Sequence, residues 1–237
     1  MDAIRGVAFD LDGTLYPNYR FNLRAAPLVA GHLRLFMAFV RARTALRRAR
    51  AAGGSAGLGA QAGSFYERQA RLAAEALSLA PEDALRRIDT QFYARWERCF
   101  RGIRPFRHAR ETLEALREGG IKLGVLSDLP PEVKLRHLGL EGLFDVVLCS
   151  ERTGSLKPDG APFAALAEGL GIAPAQILYV GNKALYDAAG AKGAGMKAAL
   201  LRRGLHRGKD PRADFVFSDY RQLLAFVRRG ETGSADR

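Results

Sequence analysis

The sequence is poor in sulfur, with two cysteines, Cys99 and Cys149, in 237 residues. Two cysteines cannot form a disulfide framework, and their separation is not that of a metal clip. Both are expected to be buried free thiols in a reducing compartment. Also lacking is any run of eighteen apolar residues, which argues against a membrane span. The opening MDAIRGVAFDLDG has no basic stretch leading into an apolar core, so no secretory signal is expected. The expected location is cytoplasmic. Acids and lysine are scarce where arginine is dense. Between Arg20 and Gly53 there are eight arginines and no acid, and from Leu15 to Pro105 sixteen arginines, six acids and no lysine.

What is present is enough for a folded core. Apolar residues make up 48% of the chain, which suits one large domain or two small ones. The net charge of +12 would attract anionic partners such as phosphorylated metabolites, nucleic acid or an acidic surface. Arginine outnumbers lysine thirty to seven, so an Arg-rich composition with solvated charges explains the excess equally well.

The run IRGVAFDLD at the start reads as a buried strand. Similar runs recur at IKLGVLS, FDVVLCS, QILYVG and MKAALL, with a weaker one at DFVFS. Helical patterns such as ARETLEALREGG and APFAALAEGLGI lie between them, with Gly119, Gly120 and Gly171 at expected C-terminal caps. Short strands alternating with amphipathic helices imply a doubly wound parallel sheet of the α/β, Rossmann-like kind. One region breaks this rhythm. From Pro17 to Arg104 only helical periodicity is seen: a long helix over RAAPLVAGHLRLFMAFVRARTALRRARA, then SFYERQARLAAEAL, then PEDALRRIDTQFYARWERCF. The tract GGSAGLGAQAG reads as a flexible loop. The expected division is an α/β core at 1–16 and 105–230, an inserted all-helical cap at 17–104 and a disordered tail at 231–237.

Chemistry-bearing residues fall at the strand exits. FDLDGTLY places Asp10 and Asp12 at alternate positions leaving the first strand, so both carboxylates can face one pocket. Such a pair suits a nucleophile and a general acid/base around a shared cation. The alternative is a turn, for which Asp and Gly are favoured. The next strand ends in Ser127 and Asp128, either a helix cap before Pro130 and Pro131 or a phosphate-binding group. Lys157, between Leu156 and Pro158, can be aimed inward to offset carboxylate charge and hold an anion. VGNKALYD places Asn182 directly after a strand and Asp187 in the first helical turn, where an acid also suits the helix dipole.

The series FDLDGTLY, VLSD, SLKP and YVGNKALYD resembles the haloacid dehalogenase superfamily of phosphohydrolases, over residues 4–16 and about 105–217. The resemblance implies that Asp10 attacks phosphorus, Asp12 acts as acid and base, Ser127 with Asp128 binds the phosphoryl group, and Lys157 orients nucleophile and phosphate. It also implies a Mg2+ cofactor held by Asp10, the Asp12 backbone carbonyl, Asn182 and Asp187. The helical block sits where the family inserts its cap, and the short Ser127–Lys157 spacing leaves no room for the larger cap type. Asn182 departs from the pattern, since an acid commonly stands there; weaker metal affinity is expected, with Asp128 or Asp187 as compensating acids.

The expected activity is therefore Mg2+-dependent phosphatase action on a small phosphorylated metabolite of phosphoglycolate, sugar phosphate or nucleotide type. Dehalogenase chemistry is disfavoured by Asp12, a position where dehalogenases commonly carry Tyr; phosphomutase chemistry is a further alternative. So is a catalytically weak protein whose basic cap binds nucleic acid or acidic partners. The expected partner is the substrate itself, with no membrane and a monomeric or homodimeric chain.

Overall fold

The apolar runs form a six-stranded sheet in the computed structural model, which describes residues 3–51, 63–203 and 208–232. Strand β1 (Gly6–Phe9) pairs on one side with β2 (Lys122–Ser127) and on the other with β4 (Ile177–Gly181). Strand β3 (Val146–Cys149) lies beyond β2, while β5 (Lys197–Leu201) and β6 (Phe215–Phe217) continue beyond β4. Every pairing is parallel, and the order is β3-β2-β1-β4-β5-β6. A parallel sheet is covered on both faces, which is why its strands read as continuous apolar runs rather than alternating ones.

The covering helices divide between the faces. Val7 and Phe9 pack with α6 (Ala109–Glu118) and α10 (Tyr220–Thr232) through Leu113, Leu116, Leu223 and Val227. Ala8 faces the other way, toward Phe163 and Leu166 of α8 (Gly160–Leu170) and Ala191 of α9 (Ala189–Gly193). The chain turns outward in opposite directions from β1, so the carboxyl ends of β1, β2 and β4 flank a crevice at the topological switch point. All the candidate chemistry identified above leaves the sheet at that edge.

Between β1 and α6 the chain forms α1 (Asn18–Gly31), α2 (Leu33–Ala51), α3 (Phe65–Leu77), α4 (Pro81–Ile88) and α5 (Ala94–Phe100). The described residues between Asn18 and Phe100 contain no strand. These helices share a core of Leu35, Ala38, Phe39, Ala42, Ala73, Ile88, Phe92 and Trp96. Ser64 and Glu67 form a reciprocal capping box that fixes the start of α3.

Three expectations need correction. The long helix expected from Arg24 onward is two helices, because the chain breaks at His32 (φ −132°, ψ 35°) directly after Gly31 and bends by 114°. No single described helix is long and apolar enough to cross a membrane; the bent pair satisfies length and composition only when taken together. The helix expected over PEDALRRIDTQFYARWERCF is interrupted by a π-helical turn at Asp89–Tyr93, which separates α4 from α5. Residues 231 and 232, expected in the tail, belong to α10, which continues to Thr232; residues 233–237 lie outside the described residues, as does most of GGSAGLGAQAG.

Candidate active site

Asp10 follows β1 directly, and its backbone N–H still bonds the Val180 carbonyl of β4 at 2.8 Å. Its side chain is buried. Oδ1 accepts from Lys157 Nζ at 2.7 Å and Oδ2 from the Thr14 hydroxyl at 2.8 Å. Burial pushes the Asp10 carboxyl up to about 6; the neighbouring Asp187 and Asp12 charges add to this while Lys157 opposes it. A buried carboxylate facing a cation on one side is not a solvated turn residue.

Asp12 extends from the same turn. Its Oδ1 accepts from the Tyr16 hydroxyl; its Oδ2 accepts from Lys134 Nζ at 2.6 Å and from Ser127 Oγ at 3.3 Å. Burial would raise this carboxyl, but the Lys134 ammonium and the Tyr16 hydrogen bond hold it below the usual carboxylate range. Two carboxylates two residues apart thus lie in different environments, Asp10 against Lys157 and Asp12 against Lys134.

Lys157 gathers the site. Its Nζ reaches Asp10 Oδ1, Asp187 Oδ1 at 2.8 Å, the Tyr179 hydroxyl at 3.0 Å and the Leu126 carbonyl at 3.3 Å. Burial disfavours the ammonium, yet Asp10 and Asp187 outweigh it and keep the lysine charged. Asp187 arrives through a π-helical turn, Ala184–Ala188, after β4. Its Oδ2 accepts the backbone N–H groups of Asn182 at 3.1 Å and Lys183 at 2.9 Å. Gly181 permits this fold-back, because a Cβ there would stand 2.2 Å from the Asp187 Cβ.

Ser127, at the end of β2, is fully buried and accepts the Leu129 N–H at 3.3 Å as well as donating to Asp12. It does not cap the next helix: α7 (Glu132–His137) starts after Pro131 with no side-chain cap. Asp128 points the other way. Its Oδ2 accepts from Arg47 Nη2 at 2.6 Å and its Oδ1 from the Lys157 N–H at 3.1 Å. Asp128 and Asp187 thus hold Arg47, the Lys157 ammonium and backbone N–H groups. Asn182 is placed differently. Its Oδ1 is buried without a hydrogen-bond partner, and its amide lies against Gly13, where a Cβ would meet Nδ2 at 2.2 Å.

Asp10, Asp12, Asp128, Lys157 and Asp187 line a cavity of about 230 Å3 together with Asn18, Phe21, Asn22, Arg43, Arg47, Leu129, Lys183 and Tyr186. Sequence reasoning placed Asp10, Asp12, Ser127, Lys157, Asn182 and Asp187 at one edge; the structure brings Asp10, Asp12, Lys157 and Asp187 to this cavity with Ser127 bonded to Asp12, and sets the Asn182 side chain in a neighbouring cavity with Gly13 and Asn18. It missed Lys134, Thr14, Tyr16, Tyr179, Arg43 and Arg47. For Lys134 a signal existed: in a chain with seven lysines and thirty arginines, a lysine is a choice, and Lys134, Lys157 and Lys183 all stand at this site.

Residues 4–195 match the family of haloacid dehalogenase-like hydrolases. The chain belongs to that family. It is 29% identical over 245 residues to a glyceraldehyde 3-phosphate phosphatase of Methanopyrus kandleri, covering 95% of this chain and 97% of that protein. It is likewise 29% identical to a phosphoglycolate phosphatase of Shigella dysenteriae, covering 93% and 91%. Among solved structures an L-2-haloacid dehalogenase superposes with a TM-score of 0.65 at 27% identity, covering 96% of this chain and all of that one. The haloacid dehalogenase-like hydrolase thus has relatives of two chemistries, and its own side chains must separate them.

Proposed function

We propose that this hydrolase is a phosphatase acting on a small phosphorylated metabolite, with Asp10 as nucleophile and Asp12 as acid and base. The observation that carries this is Asp12 itself, a second carboxylate in the cavity, hydrogen-bonded to Ser127, Tyr16 and Lys134. A halide departs without a proton, whereas an alkoxide leaving phosphorus needs one. A dehalogenase has no use for such a group. The relatives named as phosphatases align over nearly the whole chain, which supports the same choice.

The Asp10 carboxylate attacks phosphorus in line, and the P–O bond to the leaving oxygen breaks as the Asp10–phosphoryl bond forms. Asp12 hands its proton to the leaving oxygen. Because Lys134 and Tyr16 hold Asp12 ionised, that proton enters with the substrate, a monoester whose second ionisation lies at about 6. Asp12, again a carboxylate, then takes a proton from water as the water oxygen attacks phosphorus and releases Asp10. Lys157 and Ser127 balance and orient the phosphoryl oxygens, which is most of what phosphoryl transfer requires.

The donor set suits a hard cation such as Mg2+, since Asp10 offers a carboxylate in the cavity and Asn182 a buried amide oxygen with no hydrogen-bond partner. Asp10, the Asp12 carbonyl and Asn182 would hold it, with Asp187 behind them through its contacts to Lys157 and the Asn182 N–H. When bound, it supplies charge that neutralises the phosphoryl oxygens. The cavity, at about 230 Å3, is smaller than the roughly 300–1,000 Å3 of ordinary small-molecule sites, which favours two- or three-carbon phosphates over nucleotides. Arg43 and Arg47 are turned inward onto Asp128, so the basic stretch is partly spent inside the protein and not on a nucleic-acid face.

The test is hydrolysis of para-nitrophenyl phosphate and 2-phosphoglycolate by wild type and Asp10→Asn, with and without Mg2+. Turnover lost in Asp10→Asn supports the reading. Turnover that survives the change, or release of halide from 2-chloropropionate without phosphatase activity, overturns it.

A further inference from the structure

Lys134 has no role in the scheme above, yet it touches the residue that scheme most depends on. It lies on α7, the short helix that follows Ser127 and Asp128, and its side chain is about 5% exposed. Burying an ammonium is costly unless it is paired. Its ion-pair partner is Asp12 Oδ2 at 2.6 Å, and its Nζ lies 5.7 Å from the centre of the Phe100 ring. Lys157 is occupied separately with Asp10 and Asp187. The two buried lysines thus divide the carboxylates between them, one for the attacking side and one for the proton-handling side.

A packing role alone does not account for this placement. The buried Leu135, Leu138 and Leu140 already fasten this segment to the core, and an apolar side chain would fill the space over Phe100 without a desolvation cost. What the ammonium adds is direction. Asp12 accepts from Tyr16 at Oδ1 and from Lys134 and Ser127 at Oδ2, so both its oxygens are fixed from opposite sides. Of these three donors, Ser127 is the weakest held at 3.3 Å and is the one expected to turn toward phosphate. Lys134 then remains as the fixed donor on that oxygen.

We propose that Lys134 is a positioning residue of the phosphatase reaction, holding Asp12 in the orientation from which it passes a proton to the leaving oxygen. The inference rests on the phosphatase reading. Loss of the clamp costs rate in proportion to how much the leaving oxygen needs that proton. A basic leaving group suffers most and an acidic one little, because displacement geometry at Asp10 is untouched. A merely structural lysine would slow all esters alike.

The experiment compares kcat/KM for phenyl, 4-chlorophenyl and 4-nitrophenyl phosphate in wild type and Lys134→Met, with thermal midpoints alongside. Since kcat/KM reports the chemistry up to P–O cleavage, it isolates the protonation step. The expected result is a loss of about 100-fold for phenyl phosphate and a several-fold smaller loss for 4-nitrophenyl phosphate, with Lys134→Arg restoring the wild-type slope. In an Asp12→Asn background Lys134→Met should cost little more. An equal loss on all three esters, or an undiminished loss in the Asp12→Asn background, overturns the proposal. Should Lys134→Met not fold, Lys134→Gln is run against the same criteria. A folded wild type that turns over none of the esters overturns the phosphatase reading itself, and this inference with it.

Discussion

Arg47 Nη2 on α2 donates to Asp128 Oδ2 at 2.6 Å, and Arg47 Nε donates to the Lys157 carbonyl at 3.1 Å. One guanidinium thereby ties the helical block to the loop after β2 and to the loop that carries the candidate catalytic lysine. Arg43, one turn earlier, donates to the Asp128 carbonyl at 2.8 Å and pairs with Glu151. The arginines that looked like a surface field act here as bolts between the two parts of the molecule.

The Asp128 bolt should be readable as acid stability. Burial would raise this carboxyl, but Lys157, Arg47 and Arg43 outweigh it and bring it from its ordinary 3.8 down to about 2. A depressed carboxylate stabilises the fold above its unfolded-state value and loses that contribution as pH falls toward the folded-state value. Asp128→Asn is therefore expected to lose about 2 kcal/mol at pH 6. Wild type and variant should converge between about pH 4 and pH 2. Urea unfolding at stepped pH checks this; a gap that persists at pH 2 would contradict it.

The Arg43–Glu151 pair is buried on both sides, with the Tyr93 hydroxyl donating to the same Glu151 oxygen at 2.7 Å. Removing one partner of such a pair leaves the other charge without a counterpart, at a cost of about 3–5 kcal/mol. Arg43→Met is expected to fall in that range by chemical denaturation. The double variant Arg43→Met with Glu151→Leu should recover part of the loss, because apolar replacement of both members removes the uncompensated charge. No recovery would mean that Arg43 acts through its packing on Phe39 and Phe65 instead.

Why these pairs escaped the sequence, while the corners of the candidate site did not, has a physical reason. Asp10, Ser127 and Asn182 are marked locally, because a buried parallel strand is a continuous apolar run and its exit is the first polar residue. The same reasoning made all six strands readable, down to the weak DFVFS. Lys134 carries only the rarity of its residue type as a local mark, and Arg47 carries none. Their partners lie 122 and 81 residues away in sequence, and an arginine facing a carboxylate reads the same as one facing water. The break at His32 and the π-helical turn at Asp89–Tyr93 escaped for a related reason: the apolar spacing runs on through both, and packing, not periodicity, decides where the helix yields.

Asp10 predicts an opposite pH signature. Burial raises its carboxyl from 3.8 to about 6, so the folded state binds the proton more tightly than the unfolded chain. Its contribution to stability is fully present below 3.8 and is lost as pH rises through 6. In metal-free buffer Asp10→Asn should match wild type near pH 3.5 and exceed it by about 2–3 kcal/mol at pH 8. Thermal unfolding in EDTA across this range tests the sign. A variant less stable than wild type at pH 8 would show that Lys157 outweighs burial at Asp10.

Asn182 makes the sharpest prediction about the cation. Its Oδ1 is a buried acceptor with nothing to accept, which suits a hard cation but contributes no charge to holding one. Asn182→Asp adds that charge at a buried position next to Asp187, whose Oδ2 already accepts the Asn182 N–H. In EDTA the added carboxylate has no compensation, so the variant should be less stable than wild type by about 1–2 kcal/mol. With Mg2+ present the order should reverse, since the new oxygen is a ligand rather than a liability. Titration calorimetry should show Mg2+ binding about tenfold more tightly to the variant than to wild type. Equal affinity, with destabilisation that Mg2+ does not relieve, would place the cation away from Asn182 and leave its orphaned oxygen to some other donor.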